Sequence, residues 1–296
     1  MNMRIFFVLL ACFQTITSIA QQRLVEFDNP QIWTASHHLD VRQPGRPVVV
    51  FENGHGVPLD NWDRVIDLLP DSIPIVTYDR PGIGKSPAAE VEVSLEAHAD
   101  RLVRLLAAMN LEPPYILVGH SLGGLYVRGF AHYHPEKLAG LIIVDPADFT
   151  ETWENQNAYY TQLNWSAARV DSLKQSFMDK RMARHEKAPA NIGAEGLHLE
   201  AMRRDDFNEI RTAPLPNIPV HLLTGGRFDA PPRHLSPAYD AERLFREKMR
   251  VRTARWMELV QTVDRGLFFY SARSGHYVQW DDAALVVASI GLVLRE

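Results

Sequence analysis

A doubly wound α/β domain on a mostly parallel sheet, carrying a helical cap insertion, is the fold predicted by three features of the 296 residues. The first is a series of apolar, largely β-branched runs at residues 47–51, 73–78, 115–118, 141–144, 220–224 and 267–270, each passing into a loop of Gly, Asp, His or Ser. Runs that are apolar at every position suit strands covered on both faces, as in a parallel sheet. The second is helical spacing between the runs. Leu95, Leu102, Leu105, Leu106 and Met109 share a face over residues 94–110, and Leu285, Val286, Ile290 and Val293 do so over 282–294. The third is a break in the rhythm. Residues 146–213 hold no strand-like run and mix Phe149, Trp153, Tyr159, Tyr160, Trp165 and Phe177 with charges, up to Pro214-Leu215-Pro216. The expected division is a core of residues 21–145 and 214–296 and a cap of residues 146–213, with most of the cap aromatics packing it onto the core. In such folds ligands gather beyond the carboxyl ends of the strands, where the Gly-, Asp- and His-bearing loops fall.

Bulk properties narrow the function. A hydrophobic content of 46% over this length supports one large core. The formal net charge of −5, with no basic run, argues against nucleic acid or an anionic membrane as partner. Residues 1–20 read as an export signal: Arg4 gives the positive end, residues 5–13 the apolar stretch, and Ser18-Ile19-Ala20 a small-residue cleavage site. Gln14, Thr15, Thr17 and Ser18 cut the apolar stretch too short for a membrane span. A competing lipoprotein reading places a lipid on Cys12 after Leu9-Leu10-Ala11, although Leu10 fits that signal poorly. Cys12 is the only cysteine, so cleavage after Ala20 leaves neither disulfides nor thiol chemistry, in an exported, periplasmic or secreted protein.

The chemistry-bearing motif is Gly119-His120-Ser121-Leu122-Gly123, a G-x-S-x-G directly after a strand run and before a helical stretch. A serine on such a turn presents its hydroxyl, and the glycines avoid clashes there. Serine needs a base to take its proton and a carboxylate to orient that base. Among the histidines after Ser121, His221 sits inside an apolar run and His185 and His198 in the cap. His276, in Ser274-Gly275-His276 before the last helix, is the expected base. For the acid, Asp229 follows the strand at 220–224 in the loop Gly225-Gly226-Arg227-Phe228-Asp229; Asp145, ending the preceding strand, is the alternative. The oxyanion formed on attack needs backbone N–H donors. Leu122 is the expected first donor and Val57, in Gly54-His55-Gly56-Val57, the second, with Gly56 behind it; His55 and His120 are expected to brace the structure.

Other motifs fail on inspection. Gly84-Lys85-Ser86 resembles the tail of a phosphate-binding loop, but Asp79 stands where that motif needs glycine. Gly82-x-Gly84 lacks the third glycine of a dinucleotide fingerprint. His132-Tyr133-His134 and His37-His38 have neither the spacing nor the companions of a metal site, so no metal and no cofactor is expected.

Taken together, Asn53-Gly54-His55-Gly56, Trp62, Tyr78-Asp79-Arg80-Pro81-Gly82-Ile83-Gly84-Lys85-Ser86, Gly119-His120-Ser121-Leu122-Gly123-Gly124, Asp229 and Gly275-His276 resemble the α/β-hydrolase superfamily over essentially the whole chain after residue 20. The resemblance implies a serine hydrolase acting on a small-molecule ester of small or medium apolar character, through an acyl-serine. Relatives with dehalogenase or epoxide-hydrolase chemistry carry aspartate at the position of Ser121, and proline-iminopeptidase relatives tend to carry tryptophan at that of Leu122. Amidase or aminopeptidase activity remains the alternative, with Glu195, Glu200 or Glu209 available to hold an amine. A ligand-binding protein on an inactive scaffold is the non-enzymatic one.

Overall fold

The computed structural model describes residues 20–27, 30–161, 164–229 and 239–296. Residues 1–19 of the expected export signal, Cys12 among them, lie outside these residues.

Along the chain run β1 (Gln21–Val25), β2 (Ile32–His37), β3 (Val48–Glu52), α1 (Asp63–Ile66), β4 (Ile75–Tyr78), α2 (Leu95–Ala108), β5 (Tyr115–His120), α3 (Leu122–Tyr133), β6 (Leu138–Val144), α4 (Asn157–Thr161), α5 (Ala167–Glu186), α6 (Ala190–Arg204), α7 (Asn208–Arg211), β7 (Val220–Gly225), α8 (Ala241–Val260), β8 (Gly266–Ser271), α9 (Val278–Asp281) and α10 (Ala283–Val293). The eight strands form one sheet in the order β1-β2-β4-β3-β5-β6-β7-β8. From β4 to β8 all neighbours are parallel, and β1 and β2 add an antiparallel edge.

The uniformly apolar runs are explained by the two cores they serve. Side chains alternate across a strand, so Val48 and Val50 enter one core with Leu95, Leu102 and Leu105 of α2 and Leu125 of α3. Val49 and Phe51 enter the other with Val286, Ile290 and Val293 of α10. Helix α2 begins where Ser94 accepts a hydrogen bond from the Ala97 N–H at 3.1 Å, satisfying one of the free donors of the first turn. The sequence showed no sign of β1, β2 or the long α8.

Helices α4 to α7 fill the chain between β6 and β7 as a cap. The helix α6 is tied to the core by Arg80, buried at the end of β4. Its guanidinium meets Glu195 with Nε at 2.6 Å and Nη2 at 2.9 Å, and Glu52 with Nη1 at 2.6 Å. The pKa of Glu52 would be raised by burial, but His98 and Arg80 outweigh this and hold it at about 2. The His55 ring adds a 2.7 Å hydrogen bond to the Ile192 carbonyl. The first residues after β6 belong to the core: Phe149 is fully buried in it, and Asp148 binds Arg255 at 2.6 Å and the Trp256 indole N–H at 3.1 Å, both on α8. Four of the six aromatics line a cavity, Trp153, Tyr159, Tyr160 and Phe177, and of these Tyr159 and Tyr160 are also buried against Leu244 and Val251 of α8, as expected of residues that pack the cap down.

Candidate active site

Ser121 sits on the turn between β5 and α3 with φ 56° and ψ −116°, a backbone state that non-glycine residues avoid. Neighbouring backbone holds it there. Its N–H donates to the Val144 carbonyl at 3.1 Å, and its carbonyl accepts from Gly124 at 3.1 Å and Ala147 at 3.3 Å. The turn closes because Gly119 and Gly123 have no side chains. A Cβ on Gly119 would stand 2.4 Å from the Gly123 carbonyl oxygen, and one on Gly123 would stand 2.6 Å from the carbonyl oxygens of Glu52 and Asn53.

The His276 ring bridges two groups, with Nε2 3.1 Å from Ser121 Oγ and Nδ1 2.6 Å from Asp145 Oδ2. Asp145, not Asp229, therefore stands behind the histidine, and the expectation for Asp229 is corrected. The Gly225 to Asp229 loop does reach the His276 loop, with Arg227 N–H donating to the Ser274 carbonyl at 2.8 Å. The Asp229 carboxylate, however, is 66% exposed and lies 3.4 Å from Arg227, whereas that of Asp145 is 6% exposed. Donors converge on the remaining oxygen of Asp145: Thr224 Oγ1 at 2.6 Å, Arg252 Nη2 at 3.2 Å and Gly225 N–H at 3.4 Å. Burial would raise its pKa, yet Arg252 and the hydrogen bond from His276 hold the carboxyl at about 2. The chain order Ser121, acid, His276 is kept with either aspartate.

The other histidines divide as their surroundings dictate. His120 is buried, with its Nε2 3.0 Å from the His276 carbonyl, and burial together with His276 lowers its pKa to about 3, so it is a neutral brace for the base loop. Burial lowers His221 to about 4, and its Nδ1 bonds Ser289 at 2.8 Å inside the core. His55 links its loop to the cap rather than bracing the turn itself.

Leu122 opens α3 immediately after Ser121, so its N–H belongs to the unsatisfied first turn. Val57 does not fit its expected role, because its N–H is committed to the Gly54 carbonyl at 3.3 Å. Gly56 faces the cap, where a Cβ would meet Ile192 at 3.3 Å. The loop approaches Ser121 at Gly54, where a Cβ would lie 3.4 Å from Ser121 Cβ. His55 supplies the next N–H along the chain, and among the described residues that N–H has no hydrogen-bond acceptor.

Ser121 and His276 open into a cavity of about 590 Å3, within the range of small-molecule sites. Its walls come from the cap helices, the segment after β6 and α8. They mix the four aromatics with Met178, Leu199 and Leu244, and with charged side chains. Among the described residues no group of His, Cys, Asp and Glu is arranged to hold a metal ion.

Residues 47–204, more than half of the chain, match the sequence profile described as the alpha/beta hydrolase fold, and the chain belongs to this family. It is 26% identical over 178 residues to the uncharacterized protein YqjL of Bacillus subtilis strain 168, a match covering 60% of this chain and 61% of that protein, which is less than two thirds of its length. It is 28% identical over 130 residues to the human monoacylglycerol lipase ABHD6, covering 40% of this chain and 39% of the relative. A thermophilic esterase from Thermogutta terrifontis superposes with a TM-score of 0.52 at 19% identity, over 94% of this chain and 98% of that one; at this identity the likeness concerns the fold alone.

Proposed function

We propose that the protein is a serine hydrolase that cleaves a carboxylic ester through an acyl-serine intermediate. The observation that carries this reading is the continuous relay from Ser121 Oγ through His276 to Asp145, at 3.1 and 2.6 Å. Ser121 attacks the ester carbonyl as His276 Nε2 takes its proton, and Asp145 holds the ring with Nδ1 protonated and stabilises the imidazolium. The N–H groups of Leu122 and His55 receive the oxyanion. As the tetrahedral intermediate collapses, His276 returns the proton to the departing alkoxide. A water molecule, deprotonated by the same ring, then adds to the acyl carbon, and the acid is released as the bond to Ser121 Oγ breaks and His276 returns the proton to that oxygen.

Ester cleavage is favoured over aminopeptidase activity because the carboxylates available for an amine are already engaged. Glu195 is held by Arg80, Glu200 by Arg181 at 2.8 Å and by Arg203, and Glu209 by the Tyr133 hydroxyl at 2.6 Å. The lipase name of the human relative agrees with that choice. The complete relay speaks against a purely ligand-binding protein. A fluorophosphonate probe should label wild-type protein at Ser121 and leave Ser121→Ala unlabelled and inactive toward p-nitrophenyl esters; activity of the variant within about tenfold of wild type would remove the reading. Export is proposed from residues 1–20. Strand β1 begins at Gln21, so cleavage after Ala20 leaves the sheet whole. Protein recovered from an exporting host should begin at Gln21, and a lipid on Cys12 would overturn this.

A further inference from the structure

Two cationic side chains in the wall of the cavity in front of Ser121 have no ion-pair partner among the described residues. Each acid in its wall has a cationic partner: Asp145 with Arg252, Asp148 with Arg255, Glu151 with Lys248 at 3.4 Å, and Glu200 with Arg181 and Arg203. Two wall cations remain, Lys174 and Arg204. Arg204 is exposed and makes no ion pair or hydrogen bond among the described residues.

Lys174, on α5, is only 3% exposed. Its Nζ donates to two neutral acceptors, the Trp153 carbonyl at 2.8 Å and Asn157 Oδ1 at 2.9 Å, and lies 4.2 Å from the centre of the Trp153 ring. An ammonium carries three N–H donors, so beside the two acceptors and the Trp153 ring face one donor has no hydrogen-bond acceptor among the described residues. Asp171, Glu151 and Asp206 act on it from a distance, and none lies within 4 Å. Burying an ammonium without a counter-charge is costly, and such groups are ordinarily paired. Lys174 lines the same cavity as Ser121 and His276, so a partner for that N–H has access from the cavity.

We propose that the ester cleaved at Ser121 carries a singly charged anionic group, a carboxylate in its simplest form, which Lys174 receives while the aromatic wall covers the chain between that group and the scissile carbonyl. The inference rests on the serine-hydrolase reading and replaces a purely apolar substrate with an amphiphilic one. The one positive charge of Lys174 matches a monoanion, and exposed Arg204 supplies a second positive charge in the same wall.

The test compares two esters of equal shape, the mono-p-nitrophenyl ester of adipic acid and its methyl-capped neutral diester. In wild-type protein kcat/KM for the anionic ester should exceed that for the neutral one by about tenfold or more, the worth of a charge-assisted hydrogen bond. Lys174→Met should bring the ratio close to one, mainly through KM for the anionic ester. Lys174→Gln, which keeps a polar head for Asn157, serves if the methionine variant does not fold. A wild-type ratio of one or less overturns the inference, and a high ratio that survives both substitutions overturns the role of Lys174. If neither ester is turned over, adipate should slow fluorophosphonate labelling of Ser121 where 1,6-hexanediol does not, and equal effects of the two overturn the inference. Failure of Ser121 to be labelled at all is a separate result, which removes the hydrolase reading itself.

Discussion

Replacing Asp145 with asparagine tests the relay most directly, because the two oxygens of this carboxylate do different work. One accepts from His276 Nδ1 at 2.6 Å, and the other accepts from Thr224, Gly225 and Arg252. An asparagine has one acceptor oxygen. If it turns that oxygen to Thr224 and Arg252, its NH2 faces His276 and forces the ring into the tautomer that cannot take the Ser121 proton. If it turns the oxygen to His276, the NH2 confronts two donors beside a guanidinium that has lost its counter-ion. The imidazolium formed during attack loses its stabilising charge in both orientations. The expected loss in kcat is on the order of 10⁴, about 5 kcal/mol in the transition state. Arg252 keeps some solvent contact, so the expected loss of folding stability is smaller, about 2 kcal/mol. Asp229→Asn should stay within about twofold of wild type, since its partner Arg227 retains Asp281 at 2.9 Å. Steady-state kinetics on p-nitrophenyl butyrate, with thermal melts of the three proteins, supply both numbers. The reasoning is refuted if Asp229→Asn abolishes turnover while Asp145→Asn retains more than about a tenth.

Gly123→Ala should fail to fold or lose about 3 kcal/mol, because the new Cβ would lie 2.6 Å from two backbone carbonyl oxygens that no side-chain rotation can move; a wild-type urea midpoint would contradict this. Arg80→Met leaves the buried carboxylate of Glu195 without its counter-charge and Glu52 with His98 alone, so it should cost about 4 kcal/mol and speed proteolysis within residues 190–204, whereas an unchanged digestion pattern would mean that Arg80 does not hold the cap. The folded-state pKa of Asp145, about 2, lies below its ordinary 3.8, so the ionised group favours folding by about 2 kcal/mol above pH 4, and that contribution disappears as pH falls through 2. Arg252→Met removes the foremost group lowering that value, so acid unfolding followed by circular dichroism should begin at higher pH; an unshifted midpoint would show that Arg252 is not what holds the carboxyl down.

Much of this architecture was legible because the physics is local. The strands β3 to β7 read as unbroken apolar runs since both their faces are covered, β8 reads the same way although it is a part-exposed edge, and the turn around Ser121 announces itself through glycines that backbone contacts demand. The acid was harder to place. Asp145 and Asp229 both follow strands and both lie near the base loop, so position in the chain does not separate them. Burial does: Asp145 is the first residue past a fully buried strand and remains inside, while Asp229 is four residues past the end of β7 and reaches solvent. The ring of donors around Asp145 includes Arg252, which arrives from an α8 that showed no clear apolar stripe. Strand β1 is hidden because the short polar edge segment Gln21–Val25 has no apolar run to reveal it, and β2 because Ile32–His37 mixes polar with apolar residues although it lies inside the sheet. Val57 was misjudged for a similar reason, since a turn's internal hydrogen bond to Gly54 is not written in residue type.

The place where core gives way to cap bears on how such proteins can be recombined. Residues 146–149 lie within the expected cap, yet the Ala147 N–H supports the Ser121 carbonyl, Asp148 is anchored to α8, and Phe149 fills the main core. On the return side, Arg128 of α3 grips the carbonyls of Ile210 at 2.8 Å and Ala213 at 2.5 Å. The exchangeable cassette is therefore shorter than the helical insertion, running from residue 150 to 209. A foreign cap spliced at those two points keeps Ser121, Asp145 and His276 but must supply its own equivalents of Glu195, which pairs with Arg80, and of Leu199, Met202 and Phe207, which pack in the main core, whereas a graft made at Asp145 also replaces the segment whose Ala147 N–H supports the Ser121 carbonyl.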